Sequence, residues 1–163
     1  MKNFALGLSL LVGLGAMVGC GDSGSSGGSG CPDGEIACDG MCIPSITPTL
    51  DGAQGIQASV FGESCAFSNC HGATGVHQAQ LELSSVDVSF ENLVGQLSTQ
   101  IPASGDTSIP RVDPQNSSGS YIMNKLLAVD MATGTLQMPI TGTLCDAKVE
   151  AVRQWINDGA PVN

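Results

Sequence analysis

The chain has 163 residues, of which 15 are acidic and only 5 are lysine or arginine, so its net charge is −10 at neutral pH. A chain this acidic, without a basic stripe, is unsuited to nucleic acid and is repelled by anionic lipid head groups, whereas basic partners are attracted to it. Seven cysteines favour an oxidising compartment over the cytoplasm.

The first 19 residues predict an export signal. Lys2 supplies its positive start, and the apolar run 5–18 is too short to span a bilayer comfortably. The run ends in MVGC, which resembles the bacterial lipobox, where the cysteine (here Cys20) is lipidated and becomes the mature N-terminus. Residues 20–30 then form a lipidated Gly/Ser tether, and we expect a lipid-anchored protein on the periplasmic side of a bacterial membrane or at the cell surface. The alternative is an ordinary signal peptide in which Cys20 is incidental.

Residues 31–49 form a small cysteine-rich segment with no periodic apolar face. So few residues cannot build a core, and we expect a disulfide-held spacer rather than a binding module. The segment contains three cysteines, Cys31, Cys38 and Cys42. One of them needs a partner elsewhere. With Cys20 assigned to the lipid, Cys145 is the only other cysteine outside the pair Cys65 and Cys70. That disulfide would attach the segment to the last helix, but the pairing among the three stays open.

The remaining chain, 50–163, is long enough for one modest core, and its apolar spacing predicts helices. The first helix lies within 55–62, where three apolar residues share a face: Ile56, Val60 and Phe61. The second is capped by Ser85 and continues through Leu97, with apolar residues at i, i+3, i+4 and i+7.

The second half of this region predicts a long loop and two more helices. The polar stretch 98–117 contains three prolines and should be irregular. A helix opens at Ser118 or Ser120, and the last helix begins with a capping box formed by Thr143 and Asp146. Its apolar stripe consists of Val149, Val152, Trp155 and Ile156. No alternating pattern long enough for strands is present, so the predicted fold class is mostly α, with long loops.

In the stretch SCAFSNCHG, residues 64–72, four residues separate Cys65 from Cys70, and His71 directly follows the second cysteine. Covalent haem attachment uses Cys-x-x-Cys-His, in which two thiols add to the haem vinyl groups and the histidine lies under the iron. Two extra residues can bulge outward without moving His71. The alternative is a Cys65–Cys70 disulfide that closes a small polar loop beside a surface histidine.

The order of these pieces resembles the class I cytochrome c domain, and more narrowly the small exported cytochrome c-like domains of myxobacteria and planctomycetes. The matching pieces are VF, CHG, NLVG, RVDP, SYI, MP and WI, which lie between residues 54 and 160. The resemblance implies a cytochrome c-like helical domain over 50–163. It also implies one covalent haem c, held by Cys65 and Cys70, with His71 and Met138 as axial iron ligands.

Four side chains are candidates for the sixth ligand: Met123, Met131, Met138 and His77. Met123 suits the core of its helix, Met131 lies in a Gly/Thr loop, and His77 is too close to His71 in sequence to reach the opposite face. Met138 precedes a proline that rigidifies the backbone, and the resemblance also points to it.

These features predict a membrane-anchored monohaem c-type cytochrome that carries electrons between exported redox partners. No catalytic Ser/His/Asp set and no zinc spacing is evident, and nothing indicates an enzyme. The alternative function is a haem-free, disulfide-stapled binding or interaction lipoprotein with a cytochrome-like shell. A haem protein that handles oxygen or peroxide would need an open sixth position.

Overall fold

The computed structural model describes residues 30–74 and 78–163. The predicted export signal, the predicted lipidation site Cys20, the tether up to residue 29 and His77 lie outside these residues. The elements in chain order are β1 (Glu35–Cys38), β2 (Met41–Pro44), α1 (Gly62–Ser64), α2 (Val86–Leu93), α3 (Tyr121–Leu127) and α4 (Asp146–Asn157). None of the helices in the described ranges has the length and apolar character needed to cross a bilayer.

Strands β1 and β2 pair as an antiparallel hairpin, with Ile36 opposite Ile43. Asp39 and Gly40 form its turn with φ of 50° and 83°, the left-handed conformation that a two-residue hairpin turn requires. The strands are only four residues long and the hairpin has little apolar surface to bury, so pairing alone would leave it marginally stable.

Two disulfides stabilise this hairpin. Cys31 is bonded to Cys42 within the segment, and Cys38 is bonded to Cys145, directly before α4. The predicted attachment of the cysteine-rich segment to the last helix through Cys145 is therefore confirmed, and Cys38 is the cysteine that makes it.

The helical segment ahead of the cysteine pair is a π-helical turn, Gln57–Phe61, that continues directly into α1. Its apolar face is buried as predicted, because Ile56 and Val60 are fully covered and Phe61 is 1% exposed.

Helix α2 is shorter than its apolar spacing predicted. The Ser85 hydroxyl accepts a hydrogen bond from the Val88 N–H at 3.4 Å, as expected of an N-cap, but the helix ends at Leu93. Gly95 then adopts φ of 70°, and the chain pairs with the segment around Val112 instead of continuing as a helix. Leu97 is consequently 62% exposed, although its spacing had placed it on the buried stripe.

The last two helices begin close to where the sequence placed them. Ser120 is the N-cap of α3, one of the two predicted positions. The capping box predicted for α4 is not formed, because Cys145 occupies the N-cap and gives no side-chain cap hydrogen bond. The α4 stripe is buried as predicted: Val149, Val152, Trp155 and Ile156.

The first and last helical segments meet in the core. The rings of Phe61 and Trp155 pack edge to face, with their centroids 6.3 Å apart, and Trp155 is fully buried. The indole Nε1–H donates to the Pro161 carbonyl oxygen at 2.9 Å, so burial leaves no indole donor unpaired.

The predicted mostly α fold class is wrong. The three longer α-helices have 8, 7 and 12 residues, and the chain also carries the β1–β2 sheet and long loops. Loop residues such as Leu50 and Val112 are fully buried in the same core as the helices. Backbone hydrogen bonds between distant loop segments, such as Arg111 N–H to the Gln96 carbonyl at 2.6 Å, satisfy groups that a helical domain would pair locally.

Candidate functional site

The loop that carries the cysteine pair folds back on itself. The Cys70 N–H donates to the Phe67 carbonyl at 2.9 Å, and the His71 N–H donates to the Cys65 carbonyl at 3.1 Å. The residues between the cysteines thus form a turn, and His71 returns to the end of the helical segment from which Cys65 emerges.

Gly72 allows this close return. A Cβ at Gly72 would lie 2.7 Å from the Ala66 carbonyl oxygen and 2.9 Å from that of Phe67, both of them backbone atoms that cannot easily move. The glycine after His71 is therefore part of the site, since any side chain there would force the loop open.

The two cysteines of the site are free thiols, whereas the other four described cysteines are paired. The alternative Cys65–Cys70 bridge is not formed. Burial raises the pKa of the Cys65 thiol to about 12, with a further increase from the neighbouring Cys70 and an opposing effect from Lys148. Cys65 is therefore protonated at neutral pH, and its sulfur is held as a thiol rather than a thiolate.

The imidazole of His71 is buried, with 8% exposure, contrary to the surface position that accompanied the disulfide alternative. Its Nδ1 lies 2.9 Å from the Leu81 carbonyl oxygen. A carbonyl oxygen only accepts, so Nδ1 carries the proton, and the basic lone pair of the neutral ring is on Nε2. Histidine ligands to metals are commonly oriented by such a bond from the other ring nitrogen.

Cys65, Cys70, His71 and Met138 all line one cavity of about 490 Å³. Much of the wall around them is apolar and comes from the core, with Phe61, Leu83, Leu93 and Leu126 among its residues. Cavities of this size accommodate organic ligands, and a mainly apolar wall with a few polar groups is typical of such sites.

Met138 is the only methionine of the described residues that lines the cavity. Met123 is 4% exposed and belongs to the core, as its helix position predicted, and Met131 does not contact the cavity. The backbone of Met138 is attached to α3, since its N–H donates to the Lys125 carbonyl at 2.9 Å.

Sequence reasoning assigned no role to two cations in the cavity wall, Arg111 and Lys125. Burial lowers the pKa of both side chains. Lys125 donates to the Leu136 carbonyl and Arg111 donates to the Asn92 carbonyl. Neither forms an ion pair with a carboxylate in the described part of the chain. Their position became evident only from the fold, because each lies on a different element from the cysteines.

The cysteines and histidine do not form a ready site for a single metal ion. Among the described residues, the one group of three potential ligands within 4.8 Å of one another is Cys38, Asp39 and Cys145. The two sulfur atoms of that group are bonded to each other, so they are not available as ligands.

The donors suit haem c better than a bare ion. Its two vinyl groups are separate attachment points that the spaced thiols of Cys65 and Cys70 would meet, and His71 and Met138 would supply the imidazole and thioether donors that haem iron accepts. The apolar wall matches the porphyrin face, and Arg111 and Lys125 match carboxylates at the edge of such a ligand.

Comparisons of the chain with protein-family models, with curated proteins and with solved structures gave no match. The function is therefore argued from the residues of this site.

Proposed function

We propose that this protein is a monohaem c-type cytochrome that carries electrons between exported redox partners. Cys65 and Cys70 would form the two thioether bonds, and His71 and Met138 would be the axial ligands of the iron. The observation that carries the proposal is that these four side chains line one apolar cavity, while both thiols remain free.

The residues of the chain have distinct roles in this proposal. The Nδ1–H···O bond to Leu81 would hold the His71 ring, and Nε2 would be the nitrogen that binds iron. Compared with a second histidine, the Met138 thioether would favour the reduced iron and so would raise the reduction potential. A bound haem supplies an iron centre that takes up and releases one electron. The apolar wall would restrict water around that centre, which would further favour the less charged, reduced form.

Charge and covalent structure support an exported carrier. The two disulfides are typical of an oxidising extracellular or periplasmic environment. With a net charge of −10, basic docking surfaces on redox partners would accelerate encounter. The lipobox-like sequence at Cys20 supports attachment to the membrane by lipid alone.

The proposal is tested by the absorption spectrum and intact mass of protein made in bacteria with haem-attachment machinery. We expect reducible Soret and α bands, and the mass of one haem that survives denaturation. Met138→Leu should retain the covalent haem, lose the methionine ligation signature and allow carbon monoxide to bind the reduced iron. Met123→Leu, a matched change in the core, should leave the ligation signature intact. A purified chain with no haem and a Cys65–Cys70 disulfide contradicts the proposal.

A second candidate is a haem-free binding module held together by disulfides. The size and apolar wall of the cavity favour it, since such a cavity can take a small apolar ligand directly. The same mass measurement separates the two: this candidate requires a haem-free native protein that gains stability when a small apolar ligand binds.

A further inference from the structure

Arg111 connects two parts of the site that are distant in sequence. One guanidinium nitrogen, Nη1, donates to the Asn92 carbonyl at 2.8 Å, near the end of α2. A second, Nη2, donates to the Ala79 carbonyl at 3.0 Å and to the Gln80 carbonyl at 3.3 Å. One side chain therefore attaches the 79–80 segment to a helix end.

The 79–80 segment has a backbone conformation that needs support. Ala79 and Gln80 have φ of 56° and 55°, and consecutive left-handed residues that are not glycine are disfavoured by the contact of Cβ with the backbone. Such conformations persist only where neighbouring groups hold them. Besides Arg111, the hydroxyl of Thr99 donates to the Ala79 carbonyl at 3.2 Å.

The next carbonyl along the chain is the one that orients the histidine. Leu81 follows Gln80 directly, and its oxygen accepts the Nδ1–H of His71 at 2.9 Å. The direction of a carbonyl depends on the dihedral angles of the residues before it, so a change at 79–80 redirects the Leu81 oxygen.

We propose that Arg111 is a positioning residue for His71: it holds the 79–80 segment, and through it the Leu81 carbonyl that selects the Nδ1–H tautomer of the ring. The role of His71 as an iron ligand rests on the proposed function, but the hydrogen bonds that hold the 79–80 segment and the His71 ring are all made between residues of this chain. Arginine suits this task because its rigid fork reaches carbonyls in two directions, whereas the ammonium of lysine is a single point on a flexible stem.

The experiment measures the tautomer ratio of His71 from its ring ¹⁵N chemical shifts in the folded, haem-free chain, at a fixed pH where imidazole is neutral. The chain has two histidines, and the signals of His77 are identified by their loss in His77→Ala. The parent should hold His71 predominantly as the Nδ1–H tautomer. In Arg111→Lys the ratio of Nδ1–H to Nε2–H should fall about fivefold. This factor corresponds to the loss of one ordinary hydrogen bond, the one from His71 Nδ1–H to the Leu81 carbonyl.

Two further variants make the test decisive. Thr99→Val, at an exposed position, removes only one bond to the Ala79 carbonyl and should lower the ratio about twofold. Arg153→Lys alters an arginine paired with Glu150 on α4 and should leave the ratio unchanged. If Arg111→Lys does not fold, Thr99→Val alone is used: a lowered tautomer ratio of His71 supports the proposal, and an unchanged ratio overturns it.

An Arg111→Lys chain that is less stable but keeps the parent ratio has lost only a structural contact, and this result overturns the proposal. An unchanged ratio in Thr99→Val when Arg111→Lys does not fold overturns it equally. The shift in ratio is measured without haem, so it can stand even if the parent fails to acquire haem, and that failure would refute the proposed function alone.

Discussion

The hairpin and the cavity loop both depend on cysteines, but they use them in opposite ways. In the hairpin region Cys31 and Cys38 are both bonded to other cysteines, and the covalent bonds replace a core that eight strand residues cannot build. In the cavity loop Cys65 and Cys70 lie close in sequence yet remain free thiols in the wall of a cavity. The difference shows that closeness in sequence does not decide which cysteines of this chain pair, because Cys38 is bonded to Cys145 across 107 residues while Cys65 and Cys70 stay free.

The largest expected effect comes from removing cysteines in each region. Cys65→Ala combined with Cys70→Ala should abolish covalent haem attachment in cells with the attachment machinery, because no thiol remains to add to a vinyl group. Cys31→Ala combined with Cys42→Ala should retain it. Haem staining of the denatured proteins measures both. Equal haem retention in the two double variants would show that the cavity thiols have no part in attachment.

Trp155 links the two regions, since its helix is bonded to the hairpin at one end and packs against Phe61, ahead of the cysteine pair, near the other. Trp155→Ala should lower the free energy of unfolding by about 3–5 kcal/mol, because it leaves a large cavity in the core. Met41→Ala, a control at a side chain with 67% exposure, should change it by less than about 0.5 kcal/mol. Denaturant unfolding measures both, and similar midpoints would mean that the helix contact contributes little.

His77→Ala, at a position outside the described residues, should have the same free energy of unfolding as the parent protein.

Removing the hairpin's link to α4 should cost less than removing the tryptophan. Cys38→Ala combined with Cys145→Ala should lower the free energy of unfolding by about 2–4 kcal/mol. The corresponding loss for the Cys31–Cys42 disulfide should be smaller by about 2 kcal/mol, because that bond closes a loop of 11 residues rather than 107. Denaturant unfolding of the two double variants tests the order, and a larger loss for Cys31–Cys42 would contradict the loop-entropy argument.

The smallest expected effect is the change of folding stability with pH that the free Cys65 thiol causes. The disulfide-bonded cysteines do not titrate and so cause no such change. The pKa of Cys65 is raised from 9.0 to about 12 by burial, so above pH 9 the unfolded chain loses this proton while the folded chain keeps it. The stabilisation is complete below about pH 9 and is lost as the pH rises towards about 12. Between about pH 9 and 10.5 the haem-free parent should lose about 1 kcal/mol more stability than Cys65→Ala. Parallel pH profiles of the two proteins would show that burial does not perturb this thiol.

The buried stripes and the attachment of the cysteine-rich segment to Cys145 could be predicted from the sequence. Apolar spacing depends only on local helix geometry, and the number of cysteines left one partner for the segment. The end of α2 could not be predicted in this way. Leu97 continues the helical spacing, but the chain leaves the helix to pair with a segment more than ten residues away.

The sequence by itself determined which residues could carry the chemistry: a cysteine pair followed by histidine, and a short set of methionines. Only the tertiary structure decided which of them meet, because cavity walls are built from residues distant in sequence. It placed Met138 rather than Met123 or Met131 in the cavity wall. It also brought Arg111 and the Leu81 carbonyl to the site through hydrogen bonds that no local pattern encodes. The periodicity of apolar residues predicts which side chains share one face of a helix or strand. A site, in contrast, depends on long-range contacts that form only when the whole chain folds.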